Sequence, residues 1–172
     1  MKRIIYILSI LSLGLLASCQ KDPIGETSCV DMSGQWYVTC DAFAGGEVVY
    51  EDPFGMGQFI ILTSNTAKDI PTEMMLSDLR DDSFWNFKCK IVADPATMTF
   101  FATDSENFEY EDCTATVTGG KIIKGGAVTP SGMPADYIEF HILFSDDGNA
   151  AAGYWEDFYV HGYRYTGFKN DD

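Results

Sequence analysis

Tyr137-Ile138-Glu139-Phe140-His141-Ile142-Leu143-Phe144 is the stretch that decides the fold. Isoleucine and phenylalanine take every second position, and Tyr, Glu, His and Leu fill the positions between them. Successive side chains of a pleated strand point to opposite faces, so this rhythm reads as a strand with one face buried. An amphipathic helix would instead place apolar residues three and four apart.

The same period recurs on both sides of this stretch. Trp36, Val38 and Cys40 alternate with Tyr37, Thr39 and Asp41. Trp85, Phe87, Cys89 and Ile91 alternate with Asn86, Lys88 and Lys90, while Cys113, Ala115 and Val117 alternate with threonines. Gln58 to Ser64 and Glu73 to Asp78 add two shorter candidates, and Gly153 to Phe168 forms one long strand or two. Ile70, Met74, Met75 and Leu79 would fit a short helical face, but Pro71 and the brief length favour a strand or irregular structure. The punctuation agrees with a chain of strands. Asp94-Pro95-Ala96-Thr97 suits a type I turn joining strands at 84–92 and 98–102. Gly119-Gly120 offers the positive φ angles of a tight hairpin between 113–118 and 121–124. Asp146-Asp147-Gly148-Asn149 marks a further turn. The expectation is an all-β domain of about 8–10 antiparallel strands, closed as a barrel or stacked as a sandwich.

Gly34-Gln35-Trp36 opens the first strand, and Arg164 sits in the last. In lipocalin-like barrels a Gly-x-Trp on the first strand packs its indole against an Arg near the last strand. A guanidinium over an indole is a favourable cation–π contact when water is excluded. Trp36 and Arg164 are therefore the expected closure of an up-and-down, lipocalin-like barrel.

The N-terminus has its own signature. Lys2 and Arg3 precede an apolar run from Ile4 to Ala17, of the length of a signal-peptide core and short for a membrane span. Leu16-Ala17-Ser18-Cys19 resembles the lipobox of bacterial lipoproteins, in which the cysteine becomes lipidated. Cys19-Gln20-Lys21-Asp22 resembles the export signal of surface lipoproteins in Bacteroides-type bacteria, with Pro23 where a second acid is often found. The expected organisation is a signal peptide over 1–18, an acylated tether over 19–32 and the barrel domain over 33–172. The expected location is the outer membrane, lipid-anchored through Cys19, with the outer face favoured.

Lys2 and Arg3 fall in the leader, so the remaining chain sets 26 acids against nine bases, a net charge of about −17. Such a charge repels phosphate backbones and anionic lipid surfaces, which argues against nucleic-acid partners and against lying flat on a membrane. Cys29, Cys40, Cys89 and Cys113 remain after Cys19, and the compartment permits three disulfide pairings among them. Three of these share a strand face with apolar neighbours, so buried thiols fit equally. No Cys-x-x-Cys or zinc spacing is present, and the acidic loop from Asp104 to Asp112 lacks the Gly and ligand spacing of a calcium loop. No metal or cofactor is expected.

Three stretches together resemble a family of Bacteroides lipoproteins known as lipid-binding putative hydrolases, with lipocalin-like barrels. They are Ser33-Gly34-Gln35-Trp36-Tyr37-Val38-Thr39, Phe84-Trp85-Asn86-Phe87-Lys88-Cys89-Lys90-Ile91, and a third running from Gly132-Met133-Pro134-Ala135-Asp136 to Gly162-Tyr163-Arg164-Tyr165-Thr166-Gly167-Phe168. The resemblance covers most of 30–172. It departs at Lys169-Asn170, before Asp171-Asp172, where acids are more usual. It implies binding of a lipid-like ligand and carries no catalytic residues with it. The residues themselves show no Gly-x-Ser-x-Gly elbow, and Pro130-Ser131-Gly132 reads as a turn. His141 and His161, the only histidines, fall opposite the apolar faces of their strands.

Three functional readings follow. The first is a barrel holding a small apolar ligand, with Val38, Trp85, Phe87, Phe140, Ile142 and Phe144 lining the pocket. An eight-stranded barrel is wide enough to be filled by side chains or to hold one small ligand, and alternation does not distinguish the two. The resemblance favours a hollow mouth. The second is a surface accessory protein contacting a protein or glycan through Ala42 to Gly57, where Phe43, Tyr50, Phe54 and Met56 stand among glycines and acids. The third is a hydrolase, for which no nucleophile–base–acid set is visible.

Overall fold

The computed structural model describes residues 26–79 and 84–171. The leader, Cys19 and the Lys21-Asp22 signal lie outside the described residues. Nine strands follow one another: β1 (Gly34–Ala44), β2 (Glu47–Glu51), β3 (Phe59–Asn65), β4 (Glu73–Asp78), β5 (Lys88–Asp94), β6 (Thr99–Glu106), β7 (Thr114–Val128), β8 (Pro134–Phe144) and β9 (Asp157–Arg164). Every pairing is antiparallel, and β1 bonds to β3 on one side and β9 on the other. Eight strands thereby close into an up-and-down barrel. β2 is the ninth, pairing with β1 from Asp41↔Glu51 to Ala44↔Glu47 beyond the end of β3, so it projects as a hairpin from the barrel rim.

Alternation builds the core. The inward residues of β8, Ile138, Phe140, Ile142 and Phe144, are buried, and their neighbours are half-buried on the outside. Trp36, Val38, Cys40 and Ala42 do the same on β1. Glu73–Asp78 is a strand with Met74 and Leu76 inward. Cys29, Cys40, Cys89 and Cys113 are all buried free thiols, so none of the three possible pairings is formed. Burial pushes the Cys89 thiol up to about 12 and the Cys40 thiol higher still, which keeps both protonated and unreactive.

Two expectations are corrected. Gly119-Gly120 does not turn the chain. Both lie inside β7, where the register slips between Thr118↔His141 and Lys121↔Glu139, and Gly119 takes φ 63°. The freedom that allows a tight turn serves equally for a bulge, which re-aims a long strand without ending it. The reversal comes later, at Thr129–Met133, closed by the Thr129 amide donating to the Met133 carbonyl at 2.9 Å.

The strand expected over 84–92 begins only at Lys88. Asn86 has φ 56°, and the segment before it wraps the buried carboxylate of Asp78. The amides of Trp85, Asn86 and Phe87 donate to that carboxylate at 3.2, 3.0 and 2.9 Å. Burial holds the Asp78 carboxyl above its ordinary pKa even so, against the pull of these three amides. Asp78→Ala would strand all three donors. The expected loss is about 1–3 kcal/mol, read from urea unfolding, with Asp78→Asn losing less.

Asp146–Asn149 lies in the turn expected after β8, closed by the Asp147 amide donating to the Phe144 carbonyl at 3.1 Å, and it leads into the one-turn helix Gly148–Ala151, with the Asp147 side chain capping the Asn149 and Ala150 amides. The tail after β9 is held by Asp171, whose carboxylate accepts from the Ser131 amide (2.9 Å) and the Thr166 hydroxyl (2.7 Å). These bonds hold it down at about 2.

Candidate functional site

The barrel has two unlike ends. One is sealed by Trp36 and Arg164 of the two closing strands and by the turn that precedes β1. Arg164 lays its guanidinium 4.4 Å over the Trp36 ring. It also donates to Asp136 (3.1 Å) and to the carbonyls of Ser33 (2.8 Å) and Asp31 (3.2 Å). The Trp36 indole N–H donates to the Thr63 hydroxyl at 2.8 Å, and that hydroxyl donates to the Met32 carbonyl at 2.6 Å. The 3₁₀ turn Val30–Met32 thus sits across the opening with Met32 buried beneath it. Gly34 is required here because a Cβ would strike the pinned Arg164 guanidinium. Burial works against ionisation of Asp136, but the Gly125 amide, Lys124 and Arg164 hold its carboxyl below the usual range.

The other end is closed by side chains carried on loops. Seven residues, 52–58, leave the lane between β2 and β3, and the Asp52 carboxylate folds them back by accepting from the Met56 and Gly57 amides at 2.9 Å each. That brings Phe54 within 5.4 Å of Phe158 and 5.9 Å of Trp85, ring centre to ring centre. Phe84 lies at the hub, 5.1 Å from Phe59 and 5.8 Å from Phe144. Trp85 stacks on Phe144 at 4.7 Å with the rings 3° from parallel. Two acids latch this plug. Asp146 accepts from the Trp85 indole (3.1 Å) and the Tyr110 hydroxyl (2.7 Å), and Asp147 accepts from the Trp155 indole (2.7 Å).

Between the two ends the described residues fill the interior with side chains. Val38, Phe87, Phe140 and Ile142 expose none of their surface, and Phe144 almost none. No space of the size of a water molecule touches Val38, Phe87, Phe140 or Ile142, while Phe144 borders a shallow cavity beside Trp155. The hollow mouth expected from the resemblance is therefore occupied by aromatic side chains. Of the six pocket candidates, five face the interior. Trp85 lies half-buried in the plug, because the positive φ of Asn86 breaks the alternation and sends Phe84 and Phe87 inward instead. Phe59, Phe84 and Phe158 belong to the interior set and were missed by the sequence reading. Phe59 and Phe158 each stand alone as the aromatic residue on a short alternating face, which is a signal that could have placed them.

The histidines sit on the outer wall. His141 Nδ1 meets Asp157 at 2.8 Å, and its ring packs against Phe43 and Tyr159. His161 meets Thr39 Oγ1 at 3.3 Å and Asp41 at 3.5 Å through the same nitrogen, Nε2. A ring that offers one nitrogen to both hydroxyl and acid does not relay a proton between them.

A closed, antiparallel, eight-stranded barrel with an Arg–Trp seal at one pole is a lipocalin-like fold. The chain belongs to the family described as "lipid-binding putative hydrolase", whose model matches residues 21–169. The family name and the closed barrel together support binding of a small apolar ligand in a barrel. No curated protein matches the chain.

Proposed function

We propose that this chain is an outer-membrane lipoprotein, anchored through Cys19, that admits a small lipid-like ligand through the plugged end of its barrel. The observation that carries the reading is the asymmetry of the two poles. The Arg164 seal ties the backbone just before β1 to β9 through a charged network, and opening it would break the bonds from its guanidinium to Asp136, Ser33 and Asp31 together. The plug of Phe54, Phe84 and Trp85 rides on loops, so it can swing aside while every ladder bond of the barrel stays formed. An apolar ligand replaces those rings contact for contact, at roughly 25 cal/mol for each Å² kept from water.

The test is titration of the soluble domain with a fluorescent fatty-acid analogue, on wild type and on Phe140→Trp. The wild type binds saturably. The variant overpacks the interior, loses about 1–3 kcal/mol of stability, and binds the probe more weakly. Absence of saturable binding by the wild type would overturn the reading. The anchor is tested separately. Cys19→Ala is released from membranes and takes up no labelled fatty acid, whereas equal labelling of both proteins would sink the lipobox assignment.

A second reading, an accessory protein docking a protein or glycan, is favoured by the projecting β1–β2 hairpin. β2 is exposed along its whole length, with Val48, Val49 and Tyr50 open to solvent. Its free edge and apolar surface are the features by which strands recruit partners.

A further inference from the structure

The outer wall of β3, β4 and β5 carries a groove that the barrel interior does not explain. Alternate rungs set Ser64, Met75 and Lys90 side by side, then Leu62, Ser77 and Lys88. The turn after β3 walls one side, and Phe108, anchored by its amide on the Lys88 carbonyl at 2.8 Å, walls the other. The groove is open to solvent, and its volume is about 490 Å³, within the range of small-molecule sites.

Three features of this groove point to a ligand. First, Lys68, Lys88 and Lys90 all line it, in a chain with only nine bases outside the leader. Their ammonium groups are weakly committed: Glu73 lies 3.9 Å from Lys68 and 3.7 Å from Lys90, and Lys88 has no ion pair among the described residues. Second, Glu73 Oε1 and Thr66 Oγ1, both in the lining, are buried without a hydrogen-bond partner. Buried polar atoms are rarely left so, and an orphan carboxylate oxygen calls for an N–H or O–H donor. Third, Phe108 and Met75 supply an apolar wall and floor, with Phe108 half open to solvent.

We propose that this groove is a binding site for a sugar acid, a saccharide unit bearing a carboxylate. The carboxylate is held by Lys88 and Lys90. A ring hydroxyl donates to the Glu73 carboxylate, whose side chain turns its buried oxygen to meet it, and the apolar face of the sugar ring lies on Phe108. A simple fatty acid satisfies the lysines but brings no donor for Glu73. A neutral sugar brings the donor but no charge for the lysines. The site is separate from the barrel interior and does not depend on it.

The experiment is an NMR titration of the soluble, isotope-labelled domain with glucuronate, and in parallel with glucose, hexanoate and inorganic phosphate. Glucuronate shifts the amides of Thr66, Met75, Lys90 and Phe108 saturably and more tightly than the other three. The double variant Lys88→Gln/Lys90→Gln, changed only at exposed side chains, keeps the wild-type melting temperature and loses about tenfold in affinity, as expected for removing a charge-assisted contact. The proposal is overturned if glucose or hexanoate binds as well as glucuronate, if phosphate alone does, or if the lysine variant binds unchanged. It is also overturned if no saccharide moves these amides.

Discussion

Gly162→Ala is expected to lower the stability of the domain by about 3 kcal/mol, the upper part of the usual range for overpacking. Gly162 pairs with Val38 of β1 on one side and Ile138 of β8 on the other, at the seam where the barrel closes. A Cβ there would meet the Tyr37 carbonyl oxygen, and would stand 2.7 Å from Val38 Cα and 2.9 Å from Tyr37 C. All three atoms are backbone, so no rotamer change relieves the contact, and β1 has to move away from β9. In a domain of this size the loss corresponds to a fall in Tm of roughly 10 °C. Gly148→Ala is the control. Its added methyl meets nothing within 4 Å, and its backbone does not require a positive φ. A Gly162→Ala protein that melts with the wild type would show that the seam is not held by close backbone approach.

Phe84→Ala is expected to cost about 3–5 kcal/mol, as for other large-to-small changes in a packed aromatic core. Phe84 is buried and touches the rings of Phe54, Phe59, Phe87, Phe144 and Phe158. The hole it leaves opens at the plugged end, where the proposed ligand enters. Loss of stability and gain of affinity should therefore appear together. The fluorescent fatty-acid analogue binds the variant more tightly than the wild type, because one ring no longer has to be displaced, and added probe restores part of the lost melting temperature. A destabilised variant whose melt the probe leaves unmoved would separate Phe84 from ligand entry and confine it to the core.

How far the chain could be read in advance depended on where each residue's partners lie. β8 was legible in full, since eight residues of strict alternation specify which side chains go inward before any neighbour is known. Trp36 and Arg164 were legible as a pair only through resemblance, since Gly34-Gln35-Trp36 on the first strand and an Arg on the last resemble the closure of lipocalin-like barrels. Trp85 was misplaced for a local reason. Asn86 tolerates a positive φ, one such residue reverses the face of everything before it, and alternation alone gives no sign of it. Asp78 was invisible as the organiser of that segment, because its partners are backbone amides seven to nine residues away. The solid interior was beyond the sequence as well. It depends on how far the rings of Phe54 and Phe84 reach from loops, which no periodicity describes. The lysine groove shares that difficulty, since its lining comes from three strands and two loops.

β1 begins, and β9 ends, at the pole sealed by Arg164. Tension drawn through the backbone just upstream of β1 therefore runs along the axis of that strand. That strand is bonded on both flanks, to β3 and to β9, so the load is borne in shear by two ladders at once and no single rung is unzipped in turn. The carbonyls of Asp31 and Ser33, gripped by Arg164, stand just upstream and take up the first strain. Pulled from this terminus, the barrel should resist far more force than when peeled from the projecting β2 hairpin, whose rungs would open one after another.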